Sequence, residues 1–195
     1  MRHRWPDAAE ALLVEAAAAD LKDTGEVQPA LIAFTGQALR FVAWLRPFAE
    51  GQHHQPLVEL LALAGPLGCD RLMVSLGGRV WPWGRPAAAR HGDRGHRALV
   101  VHAVEGTRQP PHAWTALRPV VAGAGGTPAL AGSRDPGPAQ GWVSEALLTA
   151  VQQRQWLAAP WPAIAEQAAR VDALGHALYL PPELLTRLAR TRPGE

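Results

Sequence analysis

The segment 84–97 (GRPAAARHGDRGHR) gathers the densest set of chemically capable side chains in the sequence. Arg85, Arg90, Arg94, Arg97, His91 and His96 stand there against one acid, Asp93. Clustered guanidiniums can hold a phosphate or carboxylate through paired N–H donors, and the glycines let a backbone come close to a ligand. The ordinary alternative is a solvated connection between strands, the usual fate of a charge run. Trp81 and Trp83 lead into the segment and fall on one side of a strand by parity. Indole rings beside guanidiniums make contact surfaces for a partner, although aromatic residues more often serve the edge of a core.

The same loop holds His91-x-Asp93-x-x-His96, a ligand set that suits zinc or a similar first-row ion. His53, His54, His102 and His112 are further imidazoles. A structural zinc site takes four ligands on defined turns, and no standard helical histidine spacing occurs. His102 lies within RALVVHAV and reads as a hydrogen-bonded, partly buried core residue. Nucleophilic chemistry has less to draw on. There is no G-x-S-x-G elbow, and neither Ser75 nor Ser144 has an adjacent base in the sequence. Cys69 precedes Asp70, whose charge disfavours a thiolate, so it reads as a small buried hydrophobe. Gly123-x-Gly125-Gly126 does not lie between a strand and a helix at dinucleotide-binding spacing, and there is no Walker lysine. No cofactor is expected.

Composition narrows the classes further. Hydrophobic residues make up 48% of the 195 residues and charged residues 18%, enough for a buried core. The net charge of +2 is too small for a polycation that coats nucleic acid or membrane, and no nucleic-acid-binding signature is present. Lys22 is the only lysine among nineteen basic residues, a bias most simply caused by a GC-rich genome. One cysteine excludes an internal disulfide framework and fits a reducing compartment. Glu10, Glu15 and Asp20 interrupt the N-terminal apolar stretch, which makes a poor signal peptide. No apolar run approaches the roughly 20 residues needed to span a bilayer. A soluble cytoplasmic protein is expected.

These side chains must be positioned by the elements around them. Apolar periodicity and caps predict helices over 7–22 and 56–67, the second with Glu59 as its only charge and therefore nearly enclosed. Strands 30–35 and 38–46 meet at Gly36-Gln37, a hairpin signal. Arg40, Val42, Trp44 and Arg46 share one side of the second strand. Residues 71–76 and 79–83 are expected to pair through Gly77-Gly78 as a second two-residue hairpin, so that a helix–hairpin unit occurs twice. The continuous apolar middle of 97–104 points to a central strand covered on both faces, and a weaker strand covers 113–121. Helices return over 143–157, from 162 towards 180, and over 182–192.

The expectation is an α+β fold with an antiparallel sheet of about five strands built from repeated helix–hairpin units. Helix 56–67 covers one face, the N-terminal helix lies alongside, and a helical C-terminal region follows. The domain divisions expected are an α+β core at 1–121, a Gly/Pro-rich linker or mobile loop at 122–141, and a helical region at 142–195 packing on the core. The leading functional expectation is a non-enzymatic interaction or regulatory module. It would bind a protein, a second copy or a small anionic ligand through Arg85, Arg90, Arg94, Arg97, Trp81 and Trp83. The competing expectations are a metal-assisted enzyme around His91, Asp93 and His96, and a non-specific nucleic-acid binder. The balance falls against an enzyme.

Overall fold

The computed structural model describes residues 5–49, 51–81, 95–132, 137–139, 141–154 and 159–191. In chain order the elements are α1 (Trp5–Asp23), β1 (Ala30–Thr35), β2 (Ala38–Trp44), α2 (His54–Ala64), β3 (Arg71–Val80), β4 (His96–Glu105) and β5 (His112–Ala122). Next come β6 (Pro128–Leu130), β7 (Gly137–Pro138), α3 (Gly141–Gln153), α4 (Trp161–Ala173), β8 (Ala177–Tyr179) and α5 (Pro182–Thr191). Among the described residues the chain is thus α+β, with five helices and an antiparallel sheet. The sheet is larger than five strands. Eight take part, in the order β6-β5-β4-β3-β1-β2-β8, with β7 beside the opening residues of β5.

Alternation of side chains along the central strands divides the core in two. Leu31, Ala33, Leu72 and Val74 face one way and meet Leu57, Leu60 and Leu63 of α2, Leu147 and Val151 of α3, and Ile164 and Val171 of α4. Ile32, Met73, Leu99 and Val101 face the other way and meet Ala9, Leu13 and Ala17 of α1. The apolar runs of β1 and β4 therefore need cover on both sides, and they have it. The N-terminal helix lies on the face opposite α2, not alongside it. Val42 and Trp44 also face the α1 side and are partly buried there, which removes Trp44 from a solvent-facing arginine surface.

The Gly36 turn forms as expected, with Gly36 at φ 59° joining β1 to β2. The hairpin at Gly77-Gly78 does not. A two-residue hairpin turn of that type needs positive φ, and neither glycine has it. Instead β3 runs straight through, pairing Gly77 with Leu99 and Gly78 with Ala98 in a ladder of ten residue pairs from Arg71–Glu105 to Val80–His96. Gly77 has a packing reason: a Cβ there would lie 3.1 Å from Cβ of Val27, which sits over it. The second helix–hairpin unit is consequently absent, and with it the repeat.

Two further expectations are corrected. Within 122–141, β6 pairs with Val120–Ala122 and β7 with Trp114 and Thr115, so this glycine-rich stretch contributes strands. The helix expected to continue towards 180 ends at Ala173. Gly175, at φ 91°, turns the chain so that Ala177–Tyr179 pairs with β2 as the sheet edge.

The C-terminal helices are seated by close contacts, and Gly106 marks one of them. Its N–H donates to Asp70 O at 2.8 Å, while Arg154 Nη2 donates to Gly106 O at 3.3 Å. A Cβ on Gly106 would fall 1.9 Å from Cγ1 of the fully buried Val151. Gly106→Ala should therefore destabilise the protein by about 1–3 kcal/mol, the usual cost of overpacking. An unchanged urea midpoint would show that the end of α3 does not bear on this turn.

Candidate functional site

Of the residues expected to bind a ligand, Trp81 and Arg97 lie among the described residues; Arg85, Arg90, Arg94 and Trp83 lie outside them. Of the expected metal ligands, His96 is described and exposed, opposite Val80, whereas His91 and Asp93 lie outside. Among the described residues no group of three or more His, Cys, Asp or Glu side chains is placed to hold a metal ion.

What the ladder brings together is the far end of the β3–β4 hairpin. Arg79 and Arg97 are directly opposite each other, so both side chains rise from one face, and both are exposed. It is the face of Leu99 and Val101, the α1 side. Residues directly opposed in a strand pair are side-chain neighbours, so the two arginines leave the ladder from adjacent points. One anchor is local: Arg97 Nη2 donates to Gly25 O in the loop between α1 and β1. Trp81 follows directly, 36% exposed. It packs on Gly95, where a Cβ would lie 2.8 Å from Cε2 of the indole and 2.9 Å from Val80 O. Gly95 also has φ 63°, a conformation side chains with a Cβ rarely adopt. Only glycine lets the ring lie against the hairpin neck at that point.

Arg79 was not among the sequence candidates. With a turn at Gly77-Gly78 it would face Leu76. Its pairing with Arg97 follows only when 71–80 is one strand and the connection to β4 comes after Val80. The symmetric placing of the two arginines about that connection is the signal that could have revealed it.

Two other polar clusters have the residue types of chemistry. His102 Nδ1 lies 2.9 Å from Ser144 Oγ and 3.1 Å from Thr115 Oγ1. Burial, with His53 adding to it, pushes His102 down to about 4. A neutral imidazole beside a serine hydroxyl resembles a base and nucleophile. However, Ser144 is only 5% exposed, and among the described residues no carboxylate hydrogen-bonds the ring to orient it. An acylating serine needs both access and an orienting partner. The cluster instead joins α3 to β4 and β5. Nearby, Trp142 of α3 packs against His53 and His54 at ring-centroid distances of 4.9 and 4.6 Å. Cys69 is buried and its thiol is pushed up to about 12 by that burial, so it is no nucleophile.

The second cluster centres on Glu59. Its Oε2 accepts from Arg46 Nε at 2.8 Å and its Oε1 from Arg46 Nη2 at 3.0 Å; Gln55 Nε2 adds a bond of 3.1 Å to Oε1. His176 Nε2 lies 2.9 Å from Oε2, and His176 Nδ1 accepts the Arg46 backbone N–H at 3.2 Å. That second bond fixes the tautomer with hydrogen on Nε2, aimed at the carboxylate. The hydrogen bond from Arg46, opposed by burial and aided by His176 and Gln55, holds the Glu59 carboxyl down to about 2. An open depression of about 330 Å³ adjoins this cluster, lined by Arg46, Phe48, Gln52, His54, Gln55 and Pro56. Its one charged wall residue, Arg46, is committed to Glu59. Both clusters are structural ties.

No protein-family model matches the chain, and no curated protein and no solved structure is detectably similar to it.

The two clusters give stability two separate acid windows. The folded His102 refuses a proton that the unfolded chain binds, so its stabilisation is complete above about 6.5 and lost as pH falls towards about 4. The Glu59 contribution is complete above about 4.5 and lost as pH falls through about 2. His102→Gln should flatten the decline in the upper window. Glu59→Gln should cost about 1–3 kcal/mol near neutrality, as lost hydrogen bonds to a charged group do. Urea unfolding across the acid range checks both; wild-type and His102→Gln profiles that run parallel would disprove the first assignment.

Proposed function

We propose that this protein is a non-enzymatic interaction module that binds an anionic partner, a protein or a small ligand, through the far end of the β3–β4 hairpin and the basic segment 84–97. The observation that carries this reading is the directly opposed, exposed pair Arg79 and Arg97 on one face of the ladder. Arginines at opposed ladder positions can reach a common anion through charge-assisted hydrogen bonds. In sequence, Arg85, Arg90 and Arg94, against the single acid Asp93, lie between the two strands. Trp81 supplies apolar contact area next to the charge, the combination of arginine and tryptophan found at the energetic centres of interfaces.

The test is calorimetric titration with inorganic polyphosphate and with a synthetic Glu/Asp-rich peptide, at low and high salt. The double variant Arg79→Gln/Arg97→Gln should bind roughly tenfold more weakly, about 1.4 kcal/mol, and wild-type affinity should fall with added salt. Equal affinities of wild type and variant, or no binding of either probe, would overturn the reading.

A further inference from the structure

Three imidazoles converge on the first turn of α3. Trp142 packs against His53 and His54, and Phe48 flanks His53 at a ring-centroid distance of 6.2 Å. Two residues further on, Ser144 Oγ lies 2.9 Å from His102 Nδ1, which Thr115 Oγ1 also approaches. His102 faces the inner side of the sheet, because its neighbours Val101 and Ala103 face α1. Opposite it in the ladder stand Val74 and Thr115, neither of them charged. His112, three residues before Thr115, has the other parity and faces away. α3 adds Glu145, which is exposed, and α2 adds Glu59, tied to Arg46 and His176. Burial, with His54 adding to it, holds His53 below its ordinary range; burial, with His53 adding to it, does the same to His102. The groups whose charge acts on these two rings are thus themselves imidazoles.

We propose that the first turn of α3 is a proton-operated latch, seated on the sheet while His53 and His102 are neutral and lifted from it, with the rest of the fold in place, once both are protonated. One imidazolium beside Trp142 is attracted by the indole ring, so a single proton at this edge leaves the packing intact. A second, on His102, has no such host. Its residue is only 9% exposed, a buried charge needs a counter-charge, and His53 would carry the same sign. The two protonations are coupled: each hinders the other while the turn is seated, and both become easy once it lifts. The far end of α3 is held by groups that keep their charge over the same range. Arg154 Nη2 donates to Gly106 O at 3.3 Å, and Val151 packs on Gly106. The Glu59 carboxyl, held down to about 2, still ties α2 to the end of β2 and to the turn before β8. Acid therefore frees one turn first and uncovers Val143 and Ser144, both buried in the seated state. The latch lies on the face opposite Arg79 and Arg97, and it works whether or not that pair binds an anion.

Amide hydrogen exchange of the full-length protein, corrected for the intrinsic pH dependence of exchange, tests the latch. Protection within 145–149 should fall by roughly tenfold or more between about pH 7 and about pH 5, as linkage requires of a ring that binds its proton near 4 when seated and near 6.5 when free. Protection within 57–63 of α2 and 99–104 of β4 should hold. His102→Gln keeps a hydrogen-bonding side chain that takes no proton, and should keep 145–149 protected under the acid condition. His53→Gln removes the repelling neighbour, and should move the midpoint of the loss to lower pH. If His102→Gln is already unprotected near neutrality, its seat has failed for want of the ring, and His53→Gln alone decides. An equal fall in all three segments means that acid unfolds the whole chain, and the latch is then wrong. So is it if 145–149 stays protected, or if His53→Gln follows the wild-type profile.

Discussion

One carboxylate holds the sheet to the helices packed on its inner face. Glu59 is the only charge in an otherwise apolar helix, and such a group must be matched by donors once it leaves bulk water. Arg46 comes from the end of β2, His176 from the turn between α4 and β8, and Gln55 from the same helix one turn earlier. Arg46 and Glu59, 13 residues apart, and His176, 117 residues beyond Glu59, are thereby fixed around two oxygens. The His176 ring is wholly buried and bonded at both nitrogens, so the turn that sends the chain from α4 into β8 has one position. The edge of the sheet and the seat of α4 follow from it.

Much of the fold was legible because apolar pattern and turn chemistry agree. The first hairpin has a turn glycine between two apolar runs, and Gly36 takes the positive φ that its place suggests. The burial of one broad side of α2 followed from a single charge in twelve positions, while Val58 and Ala62 on the other side are exposed. The burial of β4 on both faces followed from its unbroken apolar middle, and Leu99, Val101 and Val104 are fully buried. The two-glycine motif misled because a glycine pair has two uses. It can supply positive φ for a tight turn, or it can leave room for a neighbour, as Val27 requires above Gly77. Only long-range pairing separates the two, and no local window contains it. The same limit applies to β7 and β8, which are two and three residues long and exist because β5 and β2 lie beside them.

The candidate surface was chosen from local sequence. The charge run of 84–97 drew attention to Arg97, and strand parity to Trp81. Arg79 was missed for the same reason the strand was. A residue opposite another in a ladder is a neighbour through topology, not through sequence spacing. Conversely, His102 and Ser144 are distant in sequence and meet in the core, where burial removes the access that chemistry needs. Proximity of reactive types is therefore no guide to activity without exposure.

The ten-pair ladder of β3 and β4 also separates two kinds of constraint. Up to Gly78 and Ala98 the hairpin is part of the core, with Leu76, Leu99 and Ala98 buried between the helical layers. Past that point the ladder continues only through Arg79–Arg97 and Val80–His96, where backbone pairing asks little of residue identity. Sequence change at the last ladder pair, Val80 and His96, can thus accumulate without reaching the packing that keeps the protein folded.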